Sequence, residues 1–168
     1  MAEALVIDVN IDEVIEFTNK LDRAPQVIAK HTKLAMHKSL SALEQPIATG
    51  TPVNTGALRG SEATEIRGQG AEIWGRIFTP LEYGAPVEHG RKPGKMPSID
   101  AIQYWVERKG IANDGEDPRQ VAFLIARAIG RRGTKGAHMF EEGLKTALPH
   151  ILRLWKTAGH DIIAELVK

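Results

Sequence analysis

Six histidines are the first residues to weigh for chemistry, because an imidazole can ligate a metal or move a proton near neutral pH. They stand at His31, His37, His89, His138, His150 and His160, and none follows the His-Glu-x-x-His spacing that puts two metal ligands on one helix face. Glu88 and His89 are adjacent, and His138 and Glu141 fall at i, i+3. An interface loop and an exposed helix start account for these two pairs without any reaction. The segment Gly130-Arg-Arg-Gly-Thr-Lys-Gly136 has the glycines and lysine of a phosphate-binding loop. Such a loop needs Lys followed by Ser or Thr at a strand-to-helix turn, whereas Lys135 precedes Gly136 and a helix leads into the segment. No Gly-x-Ser-x-Gly elbow occurs either. Cysteine is absent, which removes disulfides, thiol nucleophiles and thiolate ligands together. The expectation is a chain with no catalytic, cofactor-binding or metal-binding residues.

Charge offers a second kind of chemistry. Arg91, Lys92 and Lys95 surround Pro93-Gly94, while Arg127, Arg131, Arg132 and Lys135 follow one another with no acid between them. Arg91, Lys92, Lys95, Arg131, Arg132 and Lys135 are therefore candidate contacts to nucleic acid or to the lumen of a channel, since phosphates ask only for positive charge and reach. Arg127 and Arg131 also suit the C-terminal end of a helix, where cations meet free carbonyls and the negative end of the dipole. Aromatic residues that would stack on bases do not interleave either group. With 22 Lys plus Arg against 21 Asp plus Glu, the chain as a whole has no general attraction for polyanions.

Three segments are punctuated by residues that fix backbone geometry. They are Thr51-Pro-Val-Asn-Thr-Gly-Ala-Leu-Arg59, Tyr83-Gly-Ala-Pro-Val-Glu-His-Gly90 and Gly130 to Gly136. Pro fixes φ, Gly admits positive φ, and Asn and Thr bond to nearby backbone, so these segments read as shaped docking loops. The candidate interface residues are Thr51, Pro52, Asn54, Thr55, Gly56, Leu58, Arg59, Tyr83, Glu88, Gly90, Gly133, Thr134, Lys135 and Gly136.

The elements that must hold these loops follow from periodicity. Leu5, Ile7 and Val9 alternate, which suits a short strand. Ile11, Val14, Ile15, Thr18 and Leu21 fit one face of a helix ending near Leu21. A second helix is predicted to start at Ala24-Pro25 and to stop at Pro46 and Gly50-Thr-Pro52. Ser61 to Arg67 and Ala71 to Phe78, separated by Gly68-Gln-Gly70, predict an antiparallel hairpin. Its second strand carries large apolar groups on both faces, consistent with burial on both sides or with a partner on one. Pro97-Ser98 and Gly110 bracket a helix through Ile99, Ile102, Trp105 and Val106. Asp117-Pro-Arg-Gln120 has a capping-box arrangement opening a helix with Val121, Leu124, Ile125, Ala128 and Ile129 on one face, closed by Gly130. A last helix runs from about Ala137 past Pro149, a possible kink, to Leu166.

The chain thus predicts an α+β fold with a small central antiparallel sheet packed against long N- and C-terminal helices. At 168 residues, with no repeat or linker, residues 1–168 are expected to form one domain. No apolar run approaches the ~20 residues of a membrane span. Met1 to Asp8 lacks the basic start of a signal peptide, so synthesis in the cytoplasm is expected.

The three punctuated segments, in this order and with a hairpin after the first, resemble the tail-completion (minor tail component) family of long-tailed bacteriophages, related to the lambda-type minor tail protein Z. The likeness covers residues 51 to 143, through Ala126-Arg-Ala-Ile-Gly-Arg-Arg-Gly-Thr-Lys-Gly-Ala-His-Met-Phe140. Ser98 to Gly110 is similar to a segment of the longer members. Gly84 stands where a small residue such as Ala is usual, and the loop at Arg91 to Met96 is longer and more basic than in the shortest members. The resemblance implies a non-enzymatic structural protein of the virion or prophage, located at the tail or head-tail junction, that completes the head-proximal end of the tail. It implies a homo-oligomeric ring, six-fold among its possible orders, with other phage tail and neck proteins as partners and non-specific contact with packaged DNA. A tail terminator or connector is the alternative, and a small nucleic-acid-binding protein is a further one.

Overall fold

Helix α1 spans Asp12–Gly50 without interruption in the computed structural model, which describes residues 12–168. The strand expected at Leu5 to Val9 lies outside the described residues. The break expected at Ala24-Pro25 does not occur, and Pro46 also lies inside the helix. An internal proline deletes one i→i−4 hydrogen bond and crowds a carbonyl, at about 3 kcal/mol. Leu21, whose carbonyl Pro25 deprives of its donor, is exposed, so water can replace the lost bond.

The fold is α+β, with a small antiparallel sheet against the long N- and C-terminal helices. The remaining elements are β1 (Ala63–Arg67), β2 (Trp74–Phe78), α2 (Gly84–His89), β3 (Gly90–Arg91), α3 (Ile99–Lys109), α4 (Pro118–Arg132), β4 (Thr134–Lys135) and α5 (Met139–Val167). β1 pairs with β2, and β3 pairs antiparallel with β4 in the register Gly90 to Lys135 and Arg91 to Thr134. The hairpin is confirmed with both strands shorter than expected, because Ser61 ends a 3-10 turn at Arg59–Ser61 and a second 3-10 turn at Gly70–Glu72 occupies the residues expected to begin β2. Trp74 is exposed on that strand, so β2 is not buried on both sides.

The chain divides into two compact units, each assembled from separate stretches of sequence. The first comprises residues up to Ala42, Thr64–Arg76 and Leu148–Lys168. Here Val27, Ala35, Leu40 and Ala158 are buried, and Gly75 of β2 meets α1 so closely that an added Cβ would lie 2.6 Å from Met36 Sδ. Trp155 Nε1 donates to Ser39 Oγ at 3.1 Å, which pairs α5 with α1. Farther along, Lys30 Nζ reaches Glu165 Oε2 at 2.7 Å and His31 Nε2 lies 2.8 Å from the same oxygen.

The hydrogen bond from Lys30, joined by His31, holds the Glu165 carboxyl down at about 2. Since that lies below the ordinary value of 4.5, this cluster stabilises the folded chain fully above about pH 4.5, and the contribution is lost as the pH falls toward 2. Exposure keeps the effect small. Unfolding midpoints measured from pH 6 to 2 should fall less steeply for Glu165→Gln than for the parent; identical slopes would show that the cluster contributes nothing.

The second unit comprises Leu43–Ala63 and Ile77–Ala147. Its centre is Ile47, Leu58 and Met139, with Leu43, Ile77, Leu81, Val87 and Phe140 packed around them. α3 and α4 lie against each other with Val106, Ala122 and Ala126 fully buried. The small alanines let the two backbones approach, and they displace the expected buried face of α4, so that Leu124 points outward at 60 % exposure. Asp117 caps α4 as expected, its Oδ1 accepting from Arg119 N at 2.9 Å with Pro118 at the first helical position. Gly110 takes φ 61° at the end of α3, again as expected. α4 does not close at Gly130. It continues to Arg132, and Gly133 with φ 73° ends it.

Candidate docking site around the start of α5

All three punctuated segments belong to the second unit, and all three reach the start of α5. The first begins where α1 ends. Thr51 is buried, its Oγ1 donates to Ile47 O at 2.7 Å, and it sits 3.3 Å from Met139 Sδ at the head of α5. Thr55 Oγ1 accepts from Ala57 N at 3.2 Å, Gly56 takes φ 85°, and Gly60 N donates back to Gly56 O at 3.0 Å. These local bonds fix the loop before anything touches it. Leu58 then returns to the core, and Arg59 Nη2 donates to Thr51 O at 3.4 Å. Pro52, Val53 and Thr55 are left exposed, Val53 at 43 %.

The second segment is not a loop. Gly84–His89 forms the short helix α2, with Gly84 fitted so tightly that a Cβ would lie 2.4 Å from Thr79 Cγ2. That contact leaves no room for a side chain at position 84 unless Thr79 shifts. Glu88, expected at an interface, is 7 % exposed and turned inward. Its carboxylate accepts from Phe140 N at 3.0 Å and Glu141 N at 3.2 Å, so a side chain from α2 caps the N-terminus of α5. Two of the N–H groups that a helix start leaves unpaired are thereby satisfied by a negative charge at the positive end of the dipole. Tyr83, by contrast, is 46 % exposed.

The third segment completes the same junction. β4 pairs with β3, Ala137 N donates to Val87 O at 2.7 Å, and His138 N donates to Glu88 O at 3.1 Å. Backbones approach so closely that a Cβ on Gly136 would lie 2.2 Å from Glu88 O, and one on Gly133 2.0 Å from Arg91 O. No other residue type fits either position. His138 adopts φ 50°, uncommon for a side chain other than glycine, and its Nδ1 sits 3.2 Å from Glu141 Oε2 on the exposed start of α5. Lys145 chiefly, with His138 adding to it, holds the Glu141 carboxyl below the usual carboxylate range.

The β3–β4 ladder also joins the two basic segments, which the sequence keeps about 40 residues apart, into one edge. Gly94 N donates to Gly130 O at 2.8 Å, extending the contact beyond the ladder. Arg91, Lys92, Lys95, Arg131, Arg132 and Lys135 are all exposed, and none forms an ion pair among the described residues. The ladder thus joins the backbones of the two basic segments, with Arg91 opposite Thr134 and Lys135 opposite Gly90.

Two acceptors near the first segment, Asn54 Oδ1 and Glu62 Oε1, are buried without a hydrogen-bond partner among the described residues. Burial pushes the Glu62 carboxyl above its usual range, against the pull of Thr51 and Arg59. An acceptor in that condition costs about 1–3 kcal/mol unless water or a neighbouring chain supplies a donor. Among the described residues no group of three or more His, Asp or Glu is placed to hold a metal, and no helix is long and apolar enough to cross a membrane.

No family model, curated protein or solved structure matches this chain.

The candidate interface residues thus divide by position. Pro52, Thr55, Arg59, Tyr83, Thr134 and Lys135 face solvent, whereas Thr51, Leu58 and Glu88 are buried within the junction, and Gly90 and Gly136 lie at its closest backbone approaches. Glu88 carried one usable sequence signal, a carboxylate two residues before a glycine in a punctuated segment. Nothing in that signal names a helix start 52 residues later as its partner.

Proposed function

We propose that this chain is a non-enzymatic assembly subunit that completes the head-proximal end of a bacteriophage or prophage tail and supports its joining to the head. The observation that carries this reading is the convergence of the three segments behind the family resemblance on a single junction at the start of α5. A subunit that docks between rings gains affinity when its contact loops are ordered in advance, because less conformational entropy is lost on binding. Here the first segment is tied by its own hydrogen bonds, and the second and third are tied to each other. Leu148 and Leu152 add two exposed apolar side chains one turn apart on α5, the kind of surface that neighbouring copies cover in an oligomer. On this reading the chain works in the virion at the head-tail junction, in a homo-oligomeric ring beside other tail and neck proteins, after synthesis in the host cytoplasm.

The test is deletion of its gene from the encoding phage or prophage, followed by electron microscopy of the particles. Separate filled heads and tails are expected, and normal infectious joined virions would reject the proposal. Recovery of tails of uncontrolled length would instead favour a tail terminator.

One observation favours a second reading, in which the protein binds nucleic acid. Six exposed cations that form no ion pair among the described residues, on two segments joined by the β3–β4 ladder, suit contact with a phosphate backbone. Duplex binding that falls steeply with salt, with a slope reduced by about 2 in Arg131→Ala/Arg132→Ala, would support it. Both readings hold together if the edge touches DNA passing through the ring.

A further inference from the structure

A cavity of about 650 Å³ lies between α1 and β1 in the first unit. Lys30, Lys33 and His37 line it from α1, while Thr64, Arg67 and Gln69 line it from β1 and the loop that follows. The three α1 residues stand at i, i+3 and i+7, one above another on a single helix face. α1 meets β2 through Met36 and Leu40, and Lys33 and His37 stand exposed beside that apolar contact, so the wall that α1 gives the cavity is basic while no acidic residue lines it.

The basic groups are only partly committed. Lys30 pairs with Glu165 at 2.7 Å, and Arg67 gives its Nε to Glu65 while its guanidinium lies 5.5 Å from the Trp74 ring centre. The terminal nitrogens of Arg67 remain available for a forked contact with an oxyanion. Lys33 and His37 make no hydrogen bond or ion pair among the described residues. Thr64 and Gln69 add neutral donors. Lys30 and Lys33 are like charges at i, i+3, unfavourable by themselves, and a multiply charged anion between the helix and Arg67 would offset that. The volume exceeds that of a bare phosphate and falls in the range of small-molecule sites.

We propose that this cavity binds a small phosphate-bearing ligand, with Lys33, His37 and Arg67 as its recognition residues. The inference is independent of the assembly role, since none of these residues belongs to the docking junction. Amide chemical shifts of the whole chain, followed by NMR during titration with inorganic pyrophosphate, with AMP and with a short DNA duplex, test it. Saturable shifts are expected from pyrophosphate and AMP at Lys33, Gly68 and Gln69. Lys33→Gln/His37→Gln, both at exposed positions, should weaken that binding about tenfold or more, while Lys38→Gln on the same helix leaves it unchanged. The proposal is overturned by any of three results: no saturation by about 10 mM of either small probe, binding that the double variant does not weaken, or shifts at these residues from the duplex alone. The last result would assign the cavity to a nucleic-acid backbone.

Discussion

Gly143→Ala is expected to destabilise the protein by about 1–3 kcal/mol, although alanine is the better helix former by about 1 kcal/mol. The two effects oppose each other, and contact distance decides between them. Gly143 is buried inside α5, where an added Cβ would lie 2.5 Å from Ile47 Cγ1, 3.1 Å from Ile47 N and 3.2 Å from Ile47 Cα. A side-chain atom alone could rotate away, but the backbone of α1 cannot, and Ile47 is among the most deeply buried residues of the second unit. The helices must separate, or Ile47 must leave its packed position. Gly159→Ala on the same helix is the control, because nothing lies within 4 Å of its added Cβ. It should stabilise by about 0.5–1 kcal/mol through propensity alone. Thermal or urea unfolding of the two variants should therefore move in opposite directions. A stabilised Gly143→Ala would mean that α1 and α5 do not meet at Ile47.

Glu88→Ala should cost about 2–4 kcal/mol, the second large effect. Removing the carboxylate strips the acceptors from Phe140 N and Glu141 N and leaves a space in a buried position. The charge that offsets the dipole of a 29-residue helix is lost with them. Glu88→Gln keeps one side-chain oxygen and should lose about half as much. Hydrogen exchange separates this mechanism from general loosening: protection should fall first at Phe140 and Glu141. Unchanged protection there, with normal stability, would remove Glu88 as the cap.

Local signals were legible wherever the residues that interact are close in sequence. Asp117-Pro118 opened α4 and Gly110 ended α3 because a cap and its partners lie within a turn. The hairpin showed in its alternation and glycines, although the 3-10 turn after Gly70 shortened its second strand. What sequence alone missed depended on distant partners. Pro25 looked like a helix start because a proline suits that position, yet α1 runs through it. Gly130 looked like a terminator, but its carbonyl accepts from Gly94 and a Cβ on it would lie 2.8 Å from Met96 Cγ; positive φ is needed only at Gly133. Leu124 looked like core because apolar spacing alone does not reveal that Ala122 and Ala126 set the close contact with α3. The three punctuated segments were visible as separate stretches. That they form one junction rests on Glu88 and the β3–β4 ladder, pairings that span about 40 to 50 residues.

If that junction docks onto a neighbouring ring, its exposed side chains must matter for assembly and not for folding. Val53 and Tyr83 are the large exposed apolar or aromatic residues of the first two segments, and neither side chain contributes to the buried centre of the second unit. The most direct measurement is the fraction of tails joined to heads, scored by electron microscopy, when the gene deletion is complemented by Val53→Ser/Tyr83→Ser. Interface anchors are worth about 2 kcal/mol each, so the joined fraction should fall at least about tenfold while the unfolding midpoint of the purified chain stays at the parental value. Joined particles at the parental level, from a normally folded variant, would contradict the docking role of the junction.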